Sequence, residues 1–363
     1  MANPSDIQAR AQRLRMNFEA AGARLVEPPI LQSAETLLDL YGEDIRARAY
    51  VTSDALRGEQ MLRPDFTVPV VEMHMRQGAE PARYTYAGEV FRRQEHDPDR
   101  ANEYMQVGYE VFDRTNPAAA DAEVFALIAM QLRDLPVRAA CGDIGILMAA
   151  VQGLKTSDLR KAALLRHIWR PRRFKSLLDQ FAGRAELSEH RRSLLTTQGS
   201  LSASAPEIGK RRAVDVDQRV DALRADADVA PISENEILAL ETLLSVRETI
   251  PFAVEQLRDV AVDLPQILPA LDLLDQRVSA LRARGIDVDM LDFEASYGRT
   301  SMEYYDGFVF GFYASQRPDL PAVATGGRYD ALTRHLGQGT EIPAVGGVLR
   351  PDLILTLEAE AQS

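Results

Sequence analysis

A single cysteine, Cys141, stands in the 363 residues of this chain. One thiol cannot pair within its own chain, so the fold depends on its core, and a reducing compartment is expected. Nowhere do 18 consecutive apolar residues occur, so no membrane-spanning helix is expected. The opening MANPSDIQARAQRLRMNFEAAG lacks the apolar centre of a secretory signal, and a soluble cytoplasmic protein is expected. Positive charge is in deficit: 42 Lys and Arg against 54 Asp and Glu leave a net charge of −12. That balance excludes the broad basic face on which extended nucleic acids lie. Five histidines, at 74, 96, 167, 190 and 335, are too scattered for a zinc site or a Cys-His pair. G-x-G-x-x-G, a P-loop lysine and G-x-S-x-G are all missing, so no metal, cofactor or common nucleotide fingerprint is expected.

What the chain does have is enough apolar residue, 46%, and enough length for two or three domains, or for one large core with an insertion. Residues 5–22 read as an amphipathic helix with Ser5 as cap and Gly22 near its end. A second helix is expected around 33–41, and mainly strand from 45 to 112. RYTYAGEVFRR and EYMQVGYEVF, rich in aromatic and β-branched residues, flank the charged QEHDPDRAN and predict a long antiparallel hairpin. Residues 115–132 predict a helix, and PVRAACGDIGIL a further strand and turn. From about 146 to 285 apolar spacings of three and four dominate and strand patterns nearly vanish. Strands return at GIDVDMLDFEASYGRTSMEYYDGFVFGFYA and run through PAVGGVLRPDLIL, where Pro351 suits a first helical turn. The expected layout is an α+β core, residues 1–145 and 286–363, interrupted by a mainly helical insertion, 146–285.

Chemistry concentrates on the hairpin. Strand alternation puts Gln106, Gly108 and Glu110 on one face, and Tyr86, Gly88, Val90 and Arg92 on one face of the partner strand. Glycines inside strands mark close approach of a ligand or a backbone. LRPDFT reads as another short strand with Asp65 and Thr67 on one face. Asp65, Gln106 and Glu110 offer acceptors to an ammonium group, Arg92 a cation to a carboxylate or phosphate, and Tyr304, Tyr305 and Tyr329 aromatic walls. An amino acid needs such a pocket, but these residues equally suit a half-exposed polar sheet face. Residues 166–175, RHIWRPRRFK, form the densest basic run. It reads either as a nucleic-acid or partner contact with Trp169 or Phe174 stacking, or as a solvated helix end whose cations pair with nearby carboxylates; composition favours the latter.

In their order, these segments resemble the catalytic domain of histidyl-tRNA synthetase, a class II aminoacyl-tRNA synthetase. MLRPDFTVPV is similar to its Leu-Arg-Pro-Glu-x-Thr segment, YTYAGEVFRRQ…YMQVGYEVF to motif 2, and PAVGGVLRPDLIL to motif 3. MEYYDGFVF and GGRYDAL are similar to its two histidine-recognition motifs. The likeness covers roughly 5–145 and 285–355. It implies a class II synthetase-like α+β fold, a mixed and mainly antiparallel sheet flanked by helices. It also implies a histidine pocket: Asp65, Thr67, Gln106 and Glu110 around the amine, Arg92 near the carboxylate, and Tyr304, Tyr305 and Tyr329 around the imidazole.

The departures lie mostly on the nucleotide side. Asn102 stands where motif 2 has its second arginine, and Gln94 where it has a glutamate. Thr300 replaces the arginine of the first histidine motif, with Arg299 one place earlier. The Gly-Leu-Glu-Arg of motif 3 becomes Arg350, Pro351, Asp352 and Leu353. Each lost charge-assisted contact is worth about 1.5–3 kcal/mol, so adenylation is expected to be slowed by orders of magnitude. The chain also ends about ten residues past motif 3, and an anticodon-binding domain is not expected. Among such paralogues, EPPILQSAETLLDLYGEDIRARAYVTSD is most similar to the family of ATP phosphoribosyltransferase regulatory subunits. That resemblance implies a non-catalytic protein that activates a short catalytic subunit in a hetero-octamer of four plus four. It further implies feedback inhibition by L-histidine, a homodimer through motif 1 (about 20–42), and no tRNA or membrane partner. The alternatives are an active histidine-adenylating enzyme, which needs Arg299 and Arg350 to replace missing cations, and a dimeric scaffold with a vestigial pocket.

Overall fold

The period-two segments are realised as the centre of a large sheet. A computed structural model of the chain describes residues 3–41, 45–94, 100–186, 188–196, 212–299 and 304–361. His96, most of QEHDPDRAN, Thr300 and the Met and Glu of MEYYDGFVF lie outside the described residues. The strands are β1 (Arg24–Leu25), β2 (Leu31–Ser33), β3 (Val51–Asp54), β4 (Gly58–Leu62), β5 (Ala82–Phe91), β6 (Glu103–Phe112), β7 (Val137–Asp143), β8 (Arg247–Thr249), β9 (Asp292–Glu294), β10 (Phe308–Ala314), β11 (Ala324–Arg328) and β12 (Ala344–Leu349). Nine of these form one sheet in the order β1-β5-β6-β12-β11-β10-β7-β9-β8, and β2-β4-β3 form a second. Only the β1–β5 and β7–β9 pairs are parallel; the other pairs in both sheets are antiparallel.

The predicted hairpin is β5–β6, with Tyr84 opposite Glu110, Tyr86 opposite Gly108 and Gly88 opposite Gln106. Directly paired residues share a face, so Tyr84, Tyr86, Gly88, Gln106, Gly108, Glu110 and Phe112 share one. The other face carries Tyr109, which meets Phe18 of helix Pro4–Ala20 at 5.2 Å and donates its hydroxyl to Glu123 of helix Pro117–Leu132 at 2.6 Å. Phe125 of that helix packs on Phe310 and Phe312 of β10. Burying one such side chain is worth about 1.5–3 kcal/mol, and this helix layer holds the sheet's back. Its front, around Glu110, is left to helix Thr67–Gln77 and the connections between strands.

Several local expectations change. The first helix is capped by Asn3, whose side chain accepts from the Ser5 N–H at 3.2 Å, with Pro4 in its first turn; Ser5 is inside the helix. Residues 45–112 also contain two helices, Ile45–Arg48 and Thr67–Gln77. LRPDFT is no strand: β4 stops at Leu62 and Thr67 begins a helix. The cause is Asp65, whose Oδ1 accepts from the Val68 N–H at 3.2 Å and turns the chain into that helix.

The described residues between 146 and 285 are mostly helical, from the end of helix Ile144–Gly153 to helix Leu268–Ala283, and β8 is the one strand among them. A buried charge cluster fastens the last of these helices to the core. Arg277 donates to Asp121 and to Asp143, each at 2.8 Å, and Arg328 donates to Asp121 at 2.7 Å and Asp330 at 3.0 Å. PAVGGVLRPDLIL becomes β12 and helix Pro351–Ala361, in which Leu353 is buried in the core.

Candidate functional site

Glu110 is the centre of the site. It is 1% exposed, and its carboxylate accepts from Tyr329 at 2.6 Å, Tyr86 at 2.8 Å and Thr67 at 3.2 Å. Burial pushes its carboxyl up to about 7, although the three hydroxyls pull the other way; nearby Asp65 adds to the rise. Both tyrosine hydroxyls are held well above their ordinary range, by burial first and then by the Glu110 charge. Among the described residues no cation pairs with Glu110. A buried carboxylate met only by neutral donors is unfavourable when ionised, and a ligand ammonium placed there relieves it.

The sheet makes room for this group with glycine. Glu110 pairs with Gly346, Gly346 with Gly327, Gly327 with Val309 and Val309 with Gly142, one row across five strands. A Cβ on Gly346 would overlap the Glu110 carboxylate, one on Gly108 the Tyr86 ring, and one on Gly327 the Tyr305 ring. The Tyr86 and Tyr305 rings therefore occupy space that side chains at Gly108 and Gly327 would fill.

The other sequence-predicted residues are brought to the same front. Asp65 and Gln106 are 4% and 2% exposed, and Gln106 Oε1 is buried without a donor. Asp65 is positioned by its neighbours: Arg63 donates to the Glu89 carbonyl at 2.8 Å and the Pro28 carbonyl at 2.7 Å, and Arg92 Nε donates to the Pro64 carbonyl at 2.7 Å. Tyr304, Tyr305 and Tyr329 form an edge-to-face cluster, with ring centres 4.8 Å apart for the first pair and 6.1 Å for Tyr304 and Tyr329. Burial raises Tyr305, with Glu110 and Asp65 adding to the rise and Arg92 opposing it. All eight predicted residues thus belong to one neighbourhood, with half-buried Arg92 at its edge.

Sequence reasoning placed Tyr86 on this face but left it out of the site. It is fully buried, stacked on Phe66 at 4.2 Å, and gives Glu110 one of its three hydrogen bonds. Its signal was its register opposite Gly108, two residues from Glu110.

At the positions where motif 2 departs, the Gln94 backbone N–H donates to Asn102 Oδ1 at 3.1 Å and the Gln94 side-chain amide donates to the Ala101 carbonyl at 3.4 Å. Arg350 lies over the Tyr104 ring at 4.9 Å, where burial, Arg92 and Arg100 all disfavour its charge while Tyr104 and Asp352 support it. Arg299 is committed elsewhere: its Nε donates to the Ile168 carbonyl at 2.7 Å and it stacks on Phe174 at 4.8 Å. Among the described residues no cluster of His, Cys, Asp and Glu fits a metal ion, and no helix is long and apolar enough to cross a membrane.

A mixed, mostly antiparallel sheet flanked by helices, here with a buried polar cluster on its front, is the class II aminoacyl-tRNA synthetase-like fold. It is shared with an ATP phosphoribosyltransferase regulatory subunit/histidyl-tRNA synthetase from Bacillus halodurans (TM-score 0.68, 20% identity, 98% of this chain and 81% of that one). Histidyl-tRNA synthetase from Nostoc sp. PCC 7120 shares it too (TM-score 0.64, 16% identity, 100% and 76%). The histidyl-tRNA synthetase family profile matches residues 3–229 and 217–354. Proteins of Brucella ovis and Brucella abortus named ATP phosphoribosyltransferase regulatory subunit are each 31% identical over 96% of this chain, covering 97% and 96% of their own lengths. The chain belongs to this histidyl-tRNA synthetase-like family, with the ATP phosphoribosyltransferase regulatory subunits.

Proposed function

We propose that the chain is a non-catalytic regulatory subunit of ATP phosphoribosyltransferase, which activates a short catalytic subunit and mediates feedback inhibition by L-histidine in the first step of histidine biosynthesis. The observation that carries the effector half is Glu110, a buried carboxylate without a cation among the described residues, on the same strand face as the unpartnered Gln106 Oε1. In the bound state Asp65, Glu110 and Gln106 receive the amine, with Thr67 fixing Glu110; Arg92 faces the carboxylate, and Tyr304, Tyr305 and Tyr329 enclose the imidazole. Histidine acts by binding two states of the complex unequally, since equal affinity shifts nothing.

The assembly proposed is a cytoplasmic hetero-octamer of four regulatory and four catalytic chains, with no tRNA or membrane partner. Residues 1–145 and 286–363 act as its synthetase-like core and 146–285 as the insertion. A homodimer through residues 20–42 is supported by the apolar side chains of Ile30 and Leu31, left exposed at the small sheet.

The test is co-purification with a short catalytic subunit, followed by activity measured with and without histidine. Glu110→Ala is expected to weaken histidine inhibition and to keep histidine-free activation. Inhibition unchanged in that variant would remove the pocket assignment. The adenylating-enzyme alternative requires Arg299, which is held by Ile168 and Phe174; ATP–pyrophosphate exchange stimulated by histidine would reinstate it.

A further inference from the structure

The basic run at 166–175 plays no part in the pocket, yet the structure sets it in an unusual electrostatic position. Arg166 ends helix Asp158–Arg166, and Arg172 and Arg173 occupy the first turn of helix Pro171–Phe181. A helix N-terminus is already positive and favours acidic side chains, and this one has none in its first turn. Arg166, Arg170, Arg172 and Arg173 are all exposed. Among the described residues no carboxylate lies within ion-pair reach of Arg166, Arg172 or Arg173, whereas Lys175 pairs with Glu241 at 3.3 Å and Asp179 at 3.5 Å. The solvated-helix-end reading, in which the cations pair with nearby carboxylates, therefore holds for Lys175 and fails for these three arginines. His167 reports their convergence: after burial, Arg173, Arg170 and Arg166 are what lower its affinity for a proton.

This patch is also braced on the loop that carries the pocket's aromatic wall. The Trp169 indole N–H donates to the Tyr305 carbonyl at 3.2 Å. Arg299, 4% exposed, ties the same segment through Ile168 and Phe174, and its Nη2 is buried with no acceptor. The Trp169 contact thus joins the surface that carries Arg166, Arg172 and Arg173 to Tyr305 in the cluster around Glu110.

We propose that the arginines at 166, 172 and 173 form the docking surface for an acidic face of the catalytic subunit, and that the Trp169–Tyr305 contact couples docking to occupancy of the histidine pocket. This rests on the regulatory-subunit reading above. A protein face fits the extent of the patch, one helix end and the turn before it. A nucleic acid tracks a longer basic surface, which a chain of net charge −12 lacks. Opposed carboxylates relieve both the mutual repulsion of the arginines and their conflict with the helix dipole, so association is fast and salt-sensitive.

The experiment measures binding of the full-length chain to a short catalytic subunit from 50 to 500 mM NaCl, for wild type and for R172E/R173E. Both positions are exposed, and circular dichroism and thermal melting check the fold. Wild-type affinity is expected to fall with salt, and the double variant to bind on the order of tenfold to a hundredfold more weakly at low salt, with a flattened salt dependence. Wild-type binding that the folded double variant leaves unchanged overturns this inference alone. No binding by wild type overturns the regulatory-subunit reading and the partner named here with it. Tighter retention of wild type by a mixed-sequence RNA than by the subunit overturns a protein-docking role. For the coupling, Trp169→Phe keeps the ring and removes the indole donor. It is expected to assemble normally and to need about threefold or more additional histidine for half-inhibition, as loss of one hydrogen bond implies. An unchanged histidine response overturns the coupling.

Discussion

Replacing Glu110 by glutamine should make the protein more stable and worse at sensing histidine, with both effects set by pH. The wild-type carboxyl is raised from its ordinary 4.5 to about 7 by burial, against three hydroxyl donors. At about 1.4 kcal/mol for each tenfold change in acidity, ionised Glu110 costs the folded state on the order of 3 kcal/mol. The sign follows from proton counting. Between pH 4.5 and 7 the folded chain keeps a proton that the unfolded chain has released, so stability is full below the unfolded value and is lost as pH rises through 7. Glutamine has no proton to lose, and one hydroxyl must reorient to accept from its amide, at a cost of about 1 kcal/mol. The variant's stability relative to wild type should therefore improve by about 2 kcal/mol between pH 5.5 and pH 8, where it becomes the more stable protein. Urea denaturation at the two pH values reads this directly. Titration calorimetry of L-histidine into the assembled complex at pH 8 should show affinity reduced on the order of tenfold to a hundredfold, the loss of one charge-assisted contact. A relative stability that does not change with pH, or wild-type histidine affinity in the variant, would refute the reasoning.

Three further substitutions probe the same architecture. Tyr86→Phe removes a donor that lowers the Glu110 value, so the pH midpoint of histidine binding should move upward at a stability loss of about 1 kcal/mol; calorimetry across pH 6–9 checks it. Gly346→Ala drives a methyl group into the Glu110 carboxylate and should cost about 1–3 kcal/mol in denaturation and abolish histidine inhibition, while an intact response would show that the sheet can yield. Arg277→Met strands Asp121 and Asp143 with one cation fewer in the core, and a destabilisation of about 3–5 kcal/mol is expected by urea denaturation.

The hairpin and its polar face were legible because strand alternation is strict: Gln106 and Glu110 had to share a side once β6 was read. The resemblance then brought distant segments together, which spacing alone cannot do. Asp65 was misplaced on a strand because its side chain, rather than any pattern of apolar residues, turns the chain into the helix at Thr67. Tyr86 was passed over since its hydroxyl meets Glu110 only through the register with Gly108. β8 is three residues long, too short for any period to show within a helical stretch. Arg299 stands one place from the position the family uses, and its direction is decided by Ile168 and Phe174, more than 100 residues earlier.

β8 has a consequence for anyone who would trim this protein. Contributed by the stretch between 146 and 285, whose other described elements are helices, it is the last strand of the main sheet and pairs with β9, and Arg277 from the same stretch pairs with two core aspartates. A shortened gene that bridges this stretch with a linker would therefore move the exposed border inward to β9, a new template for sticking to other chains, and would leave Asp143 without the Arg277 cation and Asp121 with Arg328 alone. The segment is better regarded as a keystone than as an ornament, and minimal versions of this protein should be built around it.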